Sequence, residues 1–199
     1  MEVTIASNNK GKIAEYKDLL EPLGFTVFSQ SEKNIHLEVE ETGTTFEENA
    51  LLKAKAIHEL THGYVLSDDG GLQVRALNWE PGIYSARYKG LKTEAERRRA
   101  ILQGLEGKED RYARFNCCIS FIEPDGTSHL FKGVWEGKIA LREEGSSGFG
   151  YDPIFISADA DGKTTASLPI LFKETYSHRA KATAQLLEYL NSGTSATKE

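Results

Sequence analysis

Two adjacent acids, Asp68 and Asp69, have the residue type and the position that metal-dependent chemistry requires. They directly follow the apolar segment Tyr64–Leu66, which is typical of a buried strand. Carboxylates at a strand end are costly unless a cation neutralises them, and their oxygen atoms suit Mg²⁺. The alternative is that Asp69 and Gly70 form a turn, and the local pattern by itself favours the turn. The same acidic set includes three residues earlier in the chain: Glu38, Glu40 and Glu41.

The start of the chain has the pattern of an anion-binding turn. Val3–Ala6 indicates a short buried strand, the polar residues 7–9 follow, and the apolar spacing then predicts a helix with Lys10 and Lys12 in or next to its first turn. Lysine is disfavoured at the positive end of a helix dipole, but a bound polyphosphate would reverse this preference. Two solvated lysines on a surface helix would explain the same pattern equally well.

Two later segments are candidate ligand contacts. In Ser177-His178-Arg179, serine suits a helix N-cap, whereas the two cations oppose the dipole and would be explained by an acceptor-rich ligand. A stray surface pair would need no such explanation. The glycine-rich segment Gly148–Pro153 carries aromatic rings that could stack on a base or could simply pack their own turn.

Composition restricts the classes of function. The chain has 199 residues and a formal net charge of −6, which suits one globular domain and argues against a nucleic-acid partner. The one dense basic run, Arg97–Arg99, is interpreted as a solvated helix face. Cys117 and Cys118 are adjacent and match no disulfide or zinc pattern, so one of them is expected to pack as a small buried hydrophobic residue. Neither a signal peptide nor a membrane span is recognised, and a reducing cytoplasm is the expected location.

Helical and strand patterns alternate along the chain, which favours an α/β fold. Thr45 and Glu48 have the spacing of a capping box at the start of a second helix. The other predicted elements are strands at Phe25–Phe28, Leu72–Ala76, Tyr112–Ile122 and His129–Ile139, a helix at Thr93–Gly104 and a last helix from Ser177. The last helix is expected to bury Ala180, Ala184, Leu187 and Leu190. Residues 1–191 are assigned to one domain, in which the long hairpin forms a separate lobe, and residues 192–199 to a disordered polar tail.

Six segments, in this order, resemble the motifs of the inosine triphosphate pyrophosphatase family, which acts on non-canonical purine nucleoside triphosphates. The segments are Ser7–Lys12, Glu40–Ala50 with Lys53 after it, Ser67–Leu72, Pro81–Tyr88, Gly148–Phe155 and Ser177–Ala180. The resemblance implies an elongated mixed α/β sheet flanked by helices, two lobes with a central cleft, and a homodimer. It also implies Mg²⁺-dependent hydrolysis of ITP, dITP and XTP to the monophosphate and pyrophosphate, with Mn²⁺ as a substitute metal.

The resemblance implies a role for each matching residue. Glu41 and Asp69 would hold magnesium, with Glu40 and Asp68 as further candidate ligands, and Asp69 would also be the general base. The triphosphate would lie against residues of the first motifs: Ser7, Asn8, Asn9, Lys10, Gly11, Lys12, Lys53 and Gly70. The base pocket would be formed by Phe149, Gly150, Tyr151, Asp152, Lys173, His178 and Arg179. Donors such as arginine suit a 6-keto oxygen, whereas the 6-amino group of ATP would leave them unpaired.

Two positions depart from the family pattern. Gly70 stands where relatives usually carry Ser or Thr, and Asn8 replaces a common Gly, although Asn tolerates left-handed backbone angles. Three rival functions remain: a pyrophosphatase with another base preference, a non-catalytic nucleotide-binding module, and a nucleic-acid-binding protein. Ser177-His178-Arg179 argues against the first, the pair Glu41 and Asp69 against the second, and the acidic balance against the third.

Overall fold

The computed structural model describes the backbone of residues 1–194 and the side chains of residues 1–192. The strands are β1 Glu2–Ile5, β2 Thr26–Ser29, β3 Tyr64–Val74, β4 Tyr112–Ile122, β5 Ser128–Ile139 and β6 Phe155–Ser157. The helices are α1 Lys10–Leu20, α2 Phe46–Thr61, α3 Glu94–Gly104, α4 Ile170–Tyr176 and α5 His178–Thr194. The strands form one mixed sheet in the order β2-β1-β3-β4-β5-β6, which confirms the predicted α/β class.

The chain divides into two compact units. Of the described residues, the first unit contains 1–69, 117–133 and 179–194, and the second contains 70–116 and 134–178. Strands β3, β4 and β5 each contribute to both units. The expectation that the long hairpin forms a lobe of its own is therefore wrong, because strands of 11 and 12 residues are long enough to run through both cores.

In the first unit, β1 is the central strand of a parallel trio. Ile5 is paired with Ser29 of β2 on one side and with Leu66 of β3 on the other. Such strands are buried on both faces, which explains their short continuous apolar runs. Helix α1 contributes Tyr16 and Leu20 to this core, as its apolar spacing predicted.

Helix α2 begins as predicted, with Thr45 as the N-cap that accepts a hydrogen bond from the backbone N–H of Glu48. The capping box is only half formed, because the Glu48 carboxylate accepts from the backbone N–H of Thr44 instead. The buried face of the helix contains Asn49, Ala50, Ala54 and Ile57. Leu60 is exposed in the last turn.

Strand β3 is continuous, so the turn predicted at Asp69-Gly70 and the separate strand predicted at Leu72–Ala76 are wrong. Tertiary contacts override the local preference of the Asp-Gly pair. The first part of β3 pairs with β1, and the later part is held by Ser85, whose Oγ accepts from the backbone N–H of Leu72 at 2.9 Å. A Cβ atom on Gly71 would lie 2.2 Å from that Oγ, so only glycine allows this close approach.

The core of the second unit surrounds Trp135, the largest of its fully buried side chains. Strand β6 pairs antiparallel with β5 through Ile139 and Phe155, and both residues join this core. Helix α3 begins with a complete capping box between Thr93 and Glu96. The segment that carries the predicted base pocket therefore lies on a well-packed support.

The last two helices differ in part from the prediction. Helix α4 was not predicted, whereas the start of α5 beside Ser177 is confirmed. Ala180, Ala182, Thr183 and Leu186 are buried, but Ala184 is exposed, so the predicted apolar stripe is shifted. Helix α5 continues through Thr194, which places the predicted domain boundary at residue 191 inside a helix, and residues 195–199 of the predicted tail lie outside the described residues.

None of the helices in the described part of the chain has both the length and the apolar character needed to cross a membrane. Cys117 and Cys118 are both buried, which confirms that a cysteine of this pair packs as a small hydrophobic residue. Both are free thiols.

Candidate active site

The acids Asp68 and Asp69 occupy the middle of β3, directly after the residues that pair with β1. Ile5 is the last residue of β1 and faces Leu66, so the two acids extend past the carboxyl end of that strand. The turn that leads into α1 starts at the same end. In open α/β sheets the carboxyl ends of parallel strands are the usual position of ligand sites.

Asp68 is the anion of a buried charge network. Its Oδ1 lies 2.7 Å from Lys12 Nζ, and its Oδ2 accepts from Arg179 Nε at 2.8 Å. The Cys117 thiol is a third neighbour, at 3.6 Å. Burial alone would raise the pKa of Asp68, but Lys12 and Arg179 outweigh it and hold the pKa well below its ordinary value. Asp68 is therefore a permanent anion that holds two cations in place.

Arg179 belongs to this network in the first unit. Its guanidinium is 3% exposed and also donates, through Nη1, to the carboxylate of Glu15 on α1. The structure thus brings Arg179 together with Asp68 and Glu15. The contact with a purine that the resemblance implied stays a prediction.

Asp69 has a different environment from its neighbour. Its Oδ1 lies 3.6 Å from Lys53 Nζ, and its buried Oδ2 has no hydrogen-bond partner among the described residues. Burial raises the pKa of Asp69, and the nearby carboxylates of Glu41 and Asp68 add to this against the effect of Lys53 and Lys12. A carboxylate with an uncommitted buried oxygen and a raised pKa is suited to accept a proton or to bind a cation.

Glu41 meets Asp69 through a shared lysine. Lys53 Nζ bonds Glu41 Oε1 at 2.7 Å, so both carboxylates lie within 4 Å of one ammonium group. Because Glu41 and Asp69 both lie close to one ammonium group, the same pair of carboxylates would also attract a divalent cation. The described residues contain no group of three or more His, Cys, Asp or Glu side chains that could hold a metal. Two carboxylates nevertheless fit Mg²⁺, which is commonly bound by one or two carboxylates together with substrate phosphates.

The loop before α2 has a local reason to place Glu41 there. Gly43 donates its backbone N–H to Oδ1 of the fully buried Asn49 at 2.8 Å, and a Cβ on Gly43 would lie 2.6 Å from that oxygen. Glu48 holds the next residue, Thr44, by its backbone N–H. These contacts fix the loop that carries Glu41, whereas Glu40 is exposed and is not brought to the Lys53 ammonium.

The turn at residues 7–9 is organised as a helix N-terminus. Ser7 Oγ accepts from the backbone N–H of Asn9, and Asn9 Oδ1 caps α1 by accepting from the backbone N–H of Lys12 at 3.1 Å. The N–H groups of Lys10 and Gly11 have no partner within the helix and remain available for an anion. Of the two predicted lysines, Lys12 reaches Asp68, whereas Lys10 is exposed, and so is Asn8.

In the second unit, the predicted base-pocket segment forms a tight turn. Asp152 Oδ2 accepts from the backbone N–H of Phe149 at 2.9 Å, and Gly148 and Gly150 have φ angles of 76° and 63°. Any side chain at residue 148 would collide with the Asp152 carboxylate. Tyr151 is buried in the core, with its hydroxyl donating to the backbone oxygen of Ser85 at 2.7 Å. Tyr151 therefore anchors the turn, while the Phe149 ring is half-buried.

Two cationic or polar residues complete this group. Lys173 Nζ bonds Asp152 Oδ2 at 2.7 Å and lies 4.3 Å from the centre of the Phe149 ring. The imidazole of His178 is 5% exposed and stacks on Phe115 at a ring separation of 4.8 Å. Phe149, Asp152 and Lys173 therefore lie together, and the His178 imidazole is packed against the Phe115 ring. Gly70, in the same unit, follows Asp69 within β3.

Several residues of these sites were missed in the sequence. Glu15 and Asn49 are polar residues on helices, and only Asn49 has a recognisable signal, because it lies on the face of α2 that also buries Ala50 and Ala54. Arg97 and Arg98 were interpreted as part of a solvated face, which is wrong for both. Each is only partly exposed and donates to a backbone carbonyl, that of Leu91 at 3.0 Å and that of Gly150 at 2.8 Å, respectively. The exposed residue of the run is Arg99.

Comparisons with known proteins identify the family of this chain. A sequence model of the Ham1 family matches residues 3–189. The chain is 44% identical to the dITP/XTP pyrophosphatase of Bacillus licheniformis, covering 96% of this chain and 98% of the relative. The Bacillus subtilis dITP/XTP pyrophosphatase is 44% identical, with 95% and 96% of the two chains covered.

Solved structures show the same fold. The Staphylococcus aureus Ham1 protein is 44% identical and superposes with a TM-score of 0.85 over 97% of this chain and all of that one. A HAM1 protein from Coxiella burnetii gives a TM-score of 0.86 at 40% identity, over 96% and 99% of the two chains. Since the family match spans almost the whole chain and relatives reach 44% identity, this protein belongs to the Ham1 family, which confirms the resemblance in its motifs.

Proposed function

We propose that this protein hydrolyses non-canonical purine nucleoside triphosphates, with ITP, dITP and XTP as substrates. Water would attack the α-phosphorus, the bond to the β-phosphate oxygen would break, and the products would be the nucleoside monophosphate and pyrophosphate. The 44% identity to relatives named dITP/XTP pyrophosphatase supports this reaction. Cleansing of the nucleotide pool would be the biological role.

The observation that carries the proposal is the environment of Asp69. Its buried Oδ2 has no hydrogen-bond partner among the described residues, and burial raises its pKa above the ordinary value. A base of this kind can take the proton of an attacking water, a contribution of about 10²–10⁴ to the rate. Asp68 is unsuited to this task because Lys12 and Arg179 already occupy its oxygens.

The cations of the first unit suit a triphosphate. Lys12 and Lys53 are only 16% and 14% exposed, and the N-terminus of α1 adds outward-facing N–H groups. Lys12 bonds Asp68 and Lys53 bonds Glu41, so a triphosphate would compete with these internal partners for the two ammonium groups. They would stabilise the negative charge that develops on the pyrophosphate leaving group.

Glu41 and Asp69 are the residues that would hold Mg²⁺, with Mn²⁺ as a substitute, and Glu40 and Asp68 are weaker candidates. When bound, the metal supplies charge neutralisation at the phosphates and lowers the pKa of a bound water. Since Lys53 lies between the two carboxylates, its ammonium would have to yield part of this position to the ion.

The second unit would recognise the base. Phe149 offers a half-buried ring for stacking, and Lys173 offers N–H donors beside it. A 6-keto oxygen accepts from such a donor, whereas a 6-amino group would leave the donor unpaired. This difference favours ITP and XTP over ATP. His178 would add a further contact at the purine edge, and the family resemblance assigns the same role to Arg179.

Two finer features belong to the same proposal. The chain is expected to form a homodimer, as the family resemblance implies, and to act in the cytoplasm, where its two free cysteines would stay reduced. Sedimentation of the purified protein tests the first expectation, since a single species of the mass of one chain would contradict it.

The reaction itself is tested by incubating the purified protein with ITP in H₂¹⁸O, with and without Mg²⁺, and identifying the products by mass spectrometry. The proposal expects Mg²⁺-dependent release of IMP and pyrophosphate, with the ¹⁸O label in IMP. Label in pyrophosphate would place the attack at the β-phosphorus, and release of IDP with orthophosphate would exclude the reaction. Tight ITP binding without turnover would favour the non-catalytic binding module.

A further inference from the structure

The tip of the base-pocket turn is held from outside by helix α3. The backbone N–H of Gly150 donates to Glu94 Oε2 at 3.0 Å, and the backbone oxygen of Gly150 accepts from Arg98 Nη1 at 2.8 Å. Both polar atoms of one glycine are therefore bound by two side chains that lie one helical turn apart. We call Glu94 and Arg98 the α3 clamp.

The clamp is itself braced. Arg98 lies 3.9 Å from Glu94 as an i,i+4 ion pair, and its Nη2 donates to Glu143 Oε2 at 3.2 Å. Its side chain is 13% exposed, whereas Arg99, the next residue of the helix, is exposed. The capping box at Thr93 fixes the backbone from which Glu94 extends. An arginine ordered in this way loses little further freedom when it holds a backbone carbonyl.

Other contacts of the turn hold the residues on either side of its tip. Asp152 binds the backbone N–H of Phe149, and Tyr151 is anchored through its hydroxyl to Ser85. Gly150 lies between these two anchors, has a positive φ of 63°, and has no side chain to pack. The Phe149 carbonyl, in the same peptide group as the Gly150 N–H, also accepts from the backbone N–H of Asp152 at 3.2 Å. Glu94 and Arg98 add the side-chain hydrogen bonds to the two peptide groups of Gly150, and these contacts fix the backbone next to the Phe149 ring.

We propose that Glu94 and Arg98 are positioning residues for base recognition: the α3 clamp holds the Gly150 peptide so that Phe149 and Lys173 present a preformed surface to the purine. This inference rests on the proposed function of the second unit. A clamp that positions the recognition surface controls KM and base preference and leaves the chemical step alone, because binding that is equal in the ground and transition states changes KM without changing kcat.

The test compares Arg98→Met, which keeps the apolar stem and removes the donors, with Arg99→Met as the matched control on the same helix. Arg98→Met is expected to raise KM for ITP about tenfold, the effect of one charge-assisted hydrogen bond, with kcat within about twofold of wild type. Arg98→Lys, which retains one charged donor, should recover part of the loss. Arg99→Met should behave as wild type. An Arg98→Met protein with an unchanged KM, or with a reduced kcat and the wild-type KM, would overturn the proposal.

A second measurement needs no turnover. Hydrogen exchange of the Gly150 amide, followed by NMR in the free protein, should be faster by about tenfold in Glu94→Ala than in wild type or Arg99→Met. Equal exchange rates in wild type and Glu94→Ala would show that the clamp does not hold the turn. Wild-type protein that fails to hydrolyse ITP would instead overturn the proposed function, while the exchange experiment would still decide whether the clamp exists.

Discussion

The two units hold their functional residues in place by different kinds of contact. In the first unit the site consists of buried ions that neutralise one another, such as Asp68 with Lys12 and Arg179. In the second unit the site consists of aromatic rings and backbone groups, such as Phe149 and the Gly150 peptide, held by contacts behind them. Under the proposed function, the first arrangement would stabilise developing charge and the second would recognise a flat base. We therefore expect variants of the first unit to lose turnover or stability and variants of the second to lose affinity.

The largest effect is expected at Asp69. Asp69→Asn keeps the shape of the side chain and removes the base, so kcat for ITP should fall by about 10²–10⁴. Circular dichroism should show an unchanged fold, and ITP should still bind. The matched control is Asp18→Asn, on an exposed position of α1. An Asp69→Asn protein that turns over ITP at the wild-type rate would refute the assignment of chemistry to this unit.

Substitution of the adjacent acid, Asp68, should lower the stability of the fold as well as turnover. Asp68→Asn leaves Lys12 buried without its anion and leaves Arg179 with Glu15 alone, and breaking such a buried ion pair costs about 3–5 kcal/mol of unfolding free energy at pH 7. The pKa of Asp68 lies below its unfolded value, so its stabilisation is present above that unfolded value and is lost as the pH falls through the folded one. The destabilisation should therefore shrink in acid.

Urea unfolding of Asp68→Asn and Asp69→Asn in parallel provides the control for that effect. The pKa of Asp69 is raised in the folded state, so its ionisation at pH 7 opposes folding and the neutral Asn should leave stability unchanged or higher. Equal destabilisation by the two variants would contradict the different environments assigned to these neighbours.

A smaller effect is expected at Phe149. Removing the ring in Phe149→Ala should raise KM for ITP by about tenfold or more, since stacking of one base contributes about 1–3 kcal/mol, while kcat changes little. Phe28→Ala is the matched control, because Phe28 also has a lysine over its ring, Lys33 at 3.9 Å, but lies in the first unit. A KM change of the same size in Phe28→Ala would show that the effect reflects general stability.

Much of the fold followed from local patterns because local contacts decide those elements. Asn9 caps α1, Thr45 caps α2, and the two strands of the long hairpin were predicted with nearly their observed ends. The failure at Asp69-Gly70 has a tertiary cause, since pairing with β1 and the contact of Ser85 beside Gly71 keep β3 extended. Neither contact can be inferred from the residues that surround Asp69 and Gly70 in the sequence.

The candidate site shows the same limit. The ordered motifs identified Lys12, Lys53, Glu41 and Asp69 as functional candidates, and the structure brings these four together in the first unit. The motifs ranked Asp69 above Asp68, but they did not show that Lys12 and Arg179 bind the oxygens of Asp68, because that depends on which cation reaches which oxygen. Arg98 was misjudged for the same reason, as its partner Gly150 is 52 residues away in the chain.

The central claim is that the first unit supplies chemistry and the second supplies base selectivity. It is tested most directly by the ratio of kcat/KM for ITP to that for ATP, measured in wild type, Asp69→Asn and Lys173→Met. We predict a wild-type ratio on the order of 100 or more, the size expected when the wrong base leaves buried donors unpaired. The residual activity of Asp69→Asn should keep this ratio, and Lys173→Met should bring it toward one. A wild-type ratio near one, or a ratio that changes in Asp69→Asn and not in Lys173→Met, would contradict the account.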